Sequence, residues 1–263
     1  MVDKIILSTD ETFRNFIPIA SLAWRKFFPS IDVEIAFVTS RRSGDPIFDK
    51  IRKYANLTVY EPVSGIPTAN QAKVARHILA STKEEKVCSI EDIDTIPLQS
   101  EYFQKCFDAR PPSSVLAVGA EVFEGTADEG KFPMSTITAE GNTFKQFINP
   151  KELEFSEIIK SFVDIREFDK KEDISKHSFS DESLMRYLLS RCRDNNIHHI
   201  TRDVDIREDW IDRSWWSIDS EKLYKGKYVT CNFMRPYESH MHACGDIIKY
   251  IVPGIPPRDL ILE

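Results

Sequence analysis

The chain begins with a short apolar run, Lys4–Ser8, that reads as a strand. It stops at Ser8-Thr9-Asp10-Glu11, whose small polar side chains suit a helix N-cap. From Phe13 to Phe28 apolar residues recur at helical spacing (Phe16, Ile17, Ile19, Ala20, Ala23, Trp24 and Phe27), and Pro29 closes the segment. Val33–Thr39 is a second apolar run. Strand, helix, strand in this order predicts the start of a parallel α/β sheet.

The alternation continues with a helical pattern at Ile47–Tyr54 and an extended one at Leu57–Tyr60. After the turn-like Ser64-Gly65-Ile66-Pro67, residues Ala69–Ala80 form an amphipathic helical pattern. Val87–Ile90 reads as a buried strand that runs into an acidic cluster, Val115–Val118 as a further strand and Lys151–Phe162 as a helix. The second half is less regular. It offers a helix at Asp181–Arg193, an aromatic loop with Trp210, Trp215 and Trp216, a strand at Lys227–Met234 and a helix near Asp246–Ile251. No Pro/Gly/Ser linker and no internal repeat divides the chain. The expectation is one α/β domain over 1–263, with a mostly parallel central sheet flanked by helices. A nucleotide-binding half, about 1–110, precedes an acceptor-side half, about 111–263.

Composition narrows the function classes. With 263 residues and 41% hydrophobic positions there is material for one sizeable core. A net charge of −7 argues against a protein that coats nucleic acid or an acidic membrane, since both need a basic surface. The five cysteines are scattered and form no CxxC pair, so a disulfide framework is not expected. No run of roughly 18 apolar residues spans a bilayer and no signal-peptide core follows the first residues. The expected location is the cytosol.

The segment that carries chemistry is Val87 to Phe103, VCSIEDIDTIPLQSEYF. In open α/β sheets ligands bind beyond the carboxyl ends of strands. Asp92 and Asp94, at alternate positions there, can present oxygens to one hard divalent cation, which keeps waters and takes phosphate oxygens as further ligands. Its charge would stabilise a departing diphosphate. Water-exposed loop carboxylates produce the same spacing. A calcium EF-hand loop is a poor alternative, because Ile96 and Pro97 stand where it needs an oxygen ligand and glycine.

Gln71-Ala72-Lys73-Val74-Ala75-Arg76, the following IEDIDTIPL with Tyr102-Phe103, the opening KIILSTDETFRNFIPIASLAW and FPMSTITAEGNTF from Phe132 to Phe144 together resemble the GT-A glycosyltransferase fold. The likeness is greatest to the small glycosyltransferases encoded by chlorella viruses, more distant to glycogenin-type retaining enzymes, and runs to about residue 190. It implies transfer of a sugar from a nucleotide sugar, a UDP-sugar first, to a glycan or glycoprotein acceptor, with Mn2+ or Mg2+ as cofactor. Ser8, Thr9 and Asp10 would contact the nucleoside. Arg76 and Lys73 would lie near the donor, and Asp92 and Asp94 would hold the metal. Glu91 stands where that family often has a small or neutral residue. Asp181 and Glu182, in FSDESL, would face the acceptor and the reacting sugar, although Ser180 or Asp181 also suits a helix cap.

In RPYESHMHAC, Arg235 to Cys244, the resemblance makes His240, or else His242, a third metal ligand, and the two share a face if the segment is extended. Arg235 would face diphosphate. A zinc site is the alternative, without a second Cys/His pair of finger spacing to close it. A histidine in this position favours a retaining reaction. The loop Asp212-Arg213-Ser214-Trp215-Trp216-Ser217 would bind the acceptor: indole faces suit the C–H faces of sugars, and Asp and Arg suit hydroxyls. Adjacent tryptophans point different ways, so one is expected in the core and one available.

Three rival readings make different demands. A sugar nucleotidyltransferase opens with a Gly-rich basic phosphate loop, and STDETFRN contains no glycine. A dehydrogenase needs G-x-G-x-x-G after the first strand, which is absent. A non-catalytic sugar- or nucleotide-binding module predicts affinity without turnover.

Overall fold

A computed structural model describes residues 1–125, 135–163, 197–202 and 208–262. In chain order the elements are β1 (Lys4–Asp10), α1 (Ile17–Phe27), β2 (Asp32–Val38), α2 (Pro46–Arg52), β3 (Asn56–Tyr60), α3 (Thr68–Ser81), β4 (Val87–Ile90), β5 (Thr95–Pro97) and α4 (Glu101–Asp108). They continue with β6 (Val115–Val118), β7 (Ile137–Glu140), α5 (Gly141–Ile148), α6 (Phe155–Val163), β8 (Ile197–Ile200) and β9 (Trp210–Ile211). The last four are α7 (Ser220–Tyr224), β10 (Thr230–Asn232), α8 (Tyr237–His240) and α9 (Gly245–Ile251).

Among the described residues the strands form a central sheet in the order β3-β2-β1-β4-β7-β6-β8 and a small one in the order β5-β10-β9. In the central sheet β1 runs parallel to β2 and β4, β2 to β3 and β6 to β8, while β7 is antiparallel to both of its neighbours. The expected architecture, an α/β fold with a mostly parallel sheet between helices, is therefore what the chain adopts.

Burial along the strands explains the layering. Ile5, Leu7, Val33, Ile35 and Phe37 pack on one face, where α1, α2 and α9 supply Ala20, Trp24, Ile47, Ile51, Ile247 and Ile248. The intervening Ile6, Ala36 and Val38 face the other way, onto α3, α5 and α6 through Val74, Ile78, Phe144 and Ile159. Both faces are dry, which is why these strands read as unbroken apolar runs. Asp45 caps α2 by accepting a hydrogen bond from the Ile47 amide at 3.0 Å, with Pro46 as its first residue.

Several expected boundaries move. The first helix is preceded by a 3-10 turn at Arg14–Phe16, so its regular part begins only at Ile17. The helix expected from Lys151 starts at Phe155, and the strand expected over Lys227–Met234 is Thr230–Asn232. The segment holding His240 is not extended: Tyr237–His240 is a helical turn. The helix expected over Asp181–Arg193 lies outside the described residues. Eight elements were not anticipated from the periodicity: β5, α4, β7, α5, β8, β9, α7 and α8.

The two expected halves share one apolar core. Phe16 packs edge-on against Phe233 and Tyr237, and the cluster containing it runs from Val2 to Leu262. Asn15 Oδ1 accepts the Leu262 amide hydrogen at 2.8 Å.

Candidate functional site

The chain path reverses direction between β1 and β4. β2 and β3 are added outward on one side of β1, and β4 returns on the other. Such a switch point leaves a crevice at the carboxyl ends of the strands. Here it is a cleft of about 470 Å3, lined by Ser8, Thr9 and Asp10 from the end of β1, Asp92, Ile93 and Asp94 following β4, and Phe13 and Arg235 at its rim. Ala69, Ala72, Lys73 and Arg76 line its remaining wall, and their spacing of three and four residues is one face of α3.

Asp10 is buried and accepts from the Thr12 amide at 3.0 Å and the Thr68 hydroxyl at 2.7 Å, which ties the tip of β1 to the start of α3. Arg76, only 3% exposed, donates through Nη1 to Asp92 Oδ1 at 2.6 Å and to the Glu91 carbonyl at 2.9 Å. It thereby fixes the direction of the acidic loop. Burial alone would raise the Asp92 carboxyl, but the adjacent Arg76 guanidinium, with Arg235 and Arg213 beyond it, outweighs this and holds the group below the usual carboxylate range.

Asp94 is buried too, and its Oδ2 accepts from both Arg213 and Arg235. The Arg235 guanidinium lies over the Phe13 ring at 5.0 Å. Arg213 reaches Asp94 because the small sheet folds the C-terminal segment back onto this loop. Asn232 of β10 pairs with Thr95 of β5, and the Phe233 amide donates to the Asp94 carbonyl at 2.9 Å. Asn232 Nδ2 donates at 2.9 Å to Asp212, whose other oxygen caps Ser214 at 2.8 Å. Arg213 had been assigned from sequence only to sugar hydroxyls. Its partner lies 119 positions away, and no local pattern announces that pairing.

Glu91 points away from the cleft into the protein. Its carboxyl is 1% exposed and accepts from the Ser89 hydroxyl at 2.8 Å, the Thr136 amide at 3.0 Å and the Thr136 hydroxyl at 3.1 Å. Burial pushes its carboxyl up to about 8 in spite of these bonds, so the acid form prevails at pH 7.

The sequence-predicted residues thus fall into three groups. Ser8, Thr9, Asp10, Lys73, Arg76, Asp92, Asp94 and Arg235 meet in one cleft. Trp215 and Trp216 lie elsewhere: Trp215 is 51% exposed, whereas Trp216 packs edge-on against Phe233 and donates to the Ala243 carbonyl. One tryptophan is therefore structural and one available, as their adjacency suggested. His240 and His242 are not brought to the aspartates. Neither lines the cleft, and the helical turn of α8 removes the shared extended face that the expectation needed. Asp181 and Glu182 lie outside the described residues.

The acidic pair is compatible with a hard divalent cation. Asp92 bonds Arg76 through Oδ1 and Asp94 bonds its arginines through Oδ2, so each carboxylate has a second oxygen outside these bonds. Among the described residues no group of three or more His, Cys, Asp or Glu gathers. A cation there would draw its remaining ligands from water and phosphate, as Mg2+ and its kin commonly do. The described cysteines Cys88, Cys106, Cys231 and Cys244 are free and buried. No helix among the described residues is long and apolar enough to cross a membrane.

No family model matches the chain, and no curated protein matches it. Among solved structures it is similar to the apo form of the glycosyltransferase GlyE of Streptococcus pneumoniae TIGR4, with 11% identity and a TM-score of 0.47. That match covers 76% of this chain and 45% of GlyE, so the chain spans less than half of that protein's length. It is also similar to the galactosyltransferase LgtC in complex with donor and acceptor sugar analogues, at 12% identity and a TM-score of 0.49, covering 98% of this chain and 100% of LgtC. TarS of S. aureus matches at 12% identity and a TM-score of 0.43, over 99% of this chain and 41% of TarS. At such identities and scores none of them assigns an activity or a residue role to this chain.

Proposed function

We propose that this protein is a glycosyltransferase that moves a sugar from a nucleotide-sugar donor, a UDP-sugar, to a glycan acceptor, assisted by Mn2+ or Mg2+. The observation that carries the reading is the cleft at the β1/β4 switch point. Eight residues expected from the sequence to bind donor or metal converge there: Ser8, Thr9, Asp10, Lys73, Arg76, Asp92, Asp94 and Arg235. The sequence likeness to the chlorella-virus enzymes belongs to this proposal.

In it the nucleoside rests against Ser8, Thr9 and Asp10. Asp92 and Asp94 would hold the divalent cation, which would supply charge neutralisation for the diphosphate. Arg76 fixes Asp92 so that this carboxylate stays ionised and aimed into the cleft, and Lys73 and Arg235 add positive charge on either side. The bond from the sugar's anomeric carbon to the phosphate oxygen breaks, the acceptor hydroxyl oxygen bonds that carbon, and its proton passes to the departing phosphate oxygen, which leaves as the nucleoside diphosphate. Asp181 and Glu182 are the pair assigned to the reacting face, and Trp215 is the acceptor platform. His240 has no role in this scheme.

A panel of nucleotide sugars, each tested for manganese-dependent hydrolysis and transfer, tests the proposal. At least one UDP-sugar should turn over, and Asp92→Asn should lower kcat/KM by about 100-fold or more while the thermal unfolding temperature holds. Pyrophosphate release from a nucleoside triphosphate plus a sugar phosphate would identify a nucleotidyltransferase instead. Binding with no turnover of any donor would identify a binding module.

A further inference from the structure

Resting on the proposed donor site, we infer that Arg213 and Arg235 form a two-guanidinium clamp for the donor's diphosphate, one that binds this anion even when divalent metal is withdrawn. The three arginines around the acidic pair are not equivalent. Arg76 is 3% exposed and commits Nη1 to Asp92 and to a backbone carbonyl, which makes it a fixed support. Arg213 and Arg235 both donate to the same oxygen of one carboxylate, Asp94 Oδ2, and their side chains are 31% and 45% exposed. Both guanidiniums are thus within reach of solvent beside the acidic pair.

Arg213 makes its recorded bonds, to Asp94 and to the Phe233 carbonyl at 3.5 Å, through Nη1. The fork formed by its Nε and Nη2 is outside those bonds, and a phosphate accepts such a fork in bidentate fashion. Arg235 lines the cleft itself, with its guanidinium plane supported on Phe13. Asp94, accepting from both through one oxygen, keeps the two guanidiniums close together. A diphosphate arriving in the cleft meets positive charge that was assembled during folding, so its binding does not wait on a cation.

This predicts a separation of donor binding from metal binding, read by isothermal titration of UDP into the full chain in manganese and in EDTA. Wild type should bind UDP in EDTA within about tenfold of its affinity in manganese. Arg213→Gln should weaken the EDTA affinity by about tenfold or more, from loss of a charge-assisted pair, and leave binding of uridine, which lacks the diphosphate, unchanged. Arg213→Lys should recover part of the loss, because it restores charge but not the fork. Should Arg213→Gln prove misfolded by near-ultraviolet circular dichroism, the lysine variant still decides the matter: wild-type affinity for UDP in EDTA would show that no bidentate contact exists. The inference is overturned if wild type binds UDP only in manganese, if Arg213→Gln binds UDP as wild type does, or if UDP and uridine weaken together. Absence of UDP binding in both buffers would overturn it along with the proposed donor site, whereas the other outcomes leave that site standing.

Discussion

Glu91 is the residue at which folding and acidity are most directly coupled. Its carboxyl titrates near 4.5 when unfolded and about 8 when buried behind the acidic loop. Between those values the folded chain holds a proton that the unfolded chain has released. The stability associated with this group is therefore full below about 4.5 and is lost as pH rises through about 8, by up to about 1.4 kcal/mol per pH unit. Glu91→Gln keeps the shape, can still accept from Thr136, and cannot ionise. From pH 6 to pH 8 in EDTA, wild type should lose about 2 kcal/mol more stability than the variant in urea titrations. Equal slopes for the two proteins would assign the pH dependence to other groups. The sequence showed an odd acid in an acidic loop, but only burial and the Ser89 and Thr136 donors explain its tolerance.

At the scale of elements, α5 lies hard against the turn after α3. Gly141, first residue of α5, lies so close to this turn that a Cβ would sit 2.1 Å from the Lys83 carbonyl oxygen. Its amide donates to the Lys86 carbonyl at 2.9 Å, locking α5 onto the lead-in to β4. Gly141→Ala must displace backbone, so a loss of about 2 kcal/mol or more is expected in denaturant unfolding, against the gain of a few tenths that alanine brings to an open helix. The aromatic loop gives a second test. Trp216→Ala should cost about 2 kcal/mol of stability by removing its contact with Phe233, while Trp215→Ala should leave the midpoint within about 0.5 kcal/mol. If Trp215 carries the acceptor, its loss should raise the acceptor KM and spare donor hydrolysis.

For the whole molecule, the two halves expected from sequence are physically continuous. Phe16 and Asn15 from the first half bind Phe233, Tyr237 and Leu262 from the second, and the Leu98 amide donates to the Val229 carbonyl. A fragment ending at residue 110 would expose that face of the core. It should show no cooperative thermal transition by circular dichroism, and a sharp one would mean that the first half folds alone. In the full chain, ligand at the cleft should stabilise both halves together. Free UDP at about 100 times its Kd adds about 2.7 kcal/mol, or roughly 5–10 °C in Tm, with near- and far-ultraviolet signals coincident.

What the sequence determined by itself is the alternating order of strands and helices up to β4, because burial of both faces of β1, β2 and β4 writes uninterrupted apolar runs that local composition reveals. It also determined which residues of β1, α3 and the acidic loop share the cleft, since strand ends and one face of a helix are local geometry. Tertiary structure alone decided the rest. β5 and β9 are three and two residues long, too short for any periodicity, and exist only because β10 pairs with both. That pairing carries Arg213 and Arg235 to Asp94 across 119 and 141 positions of the chain. The helical turn at Tyr237–His240 was decided the same way: Tyr237 packs on Phe16 and Phe233, and this contact overrides the extended conformation expected for the histidines. Local sequence specifies elements and the chemistry at their ends, whereas which distant charges meet depends on how the finished core brings them together.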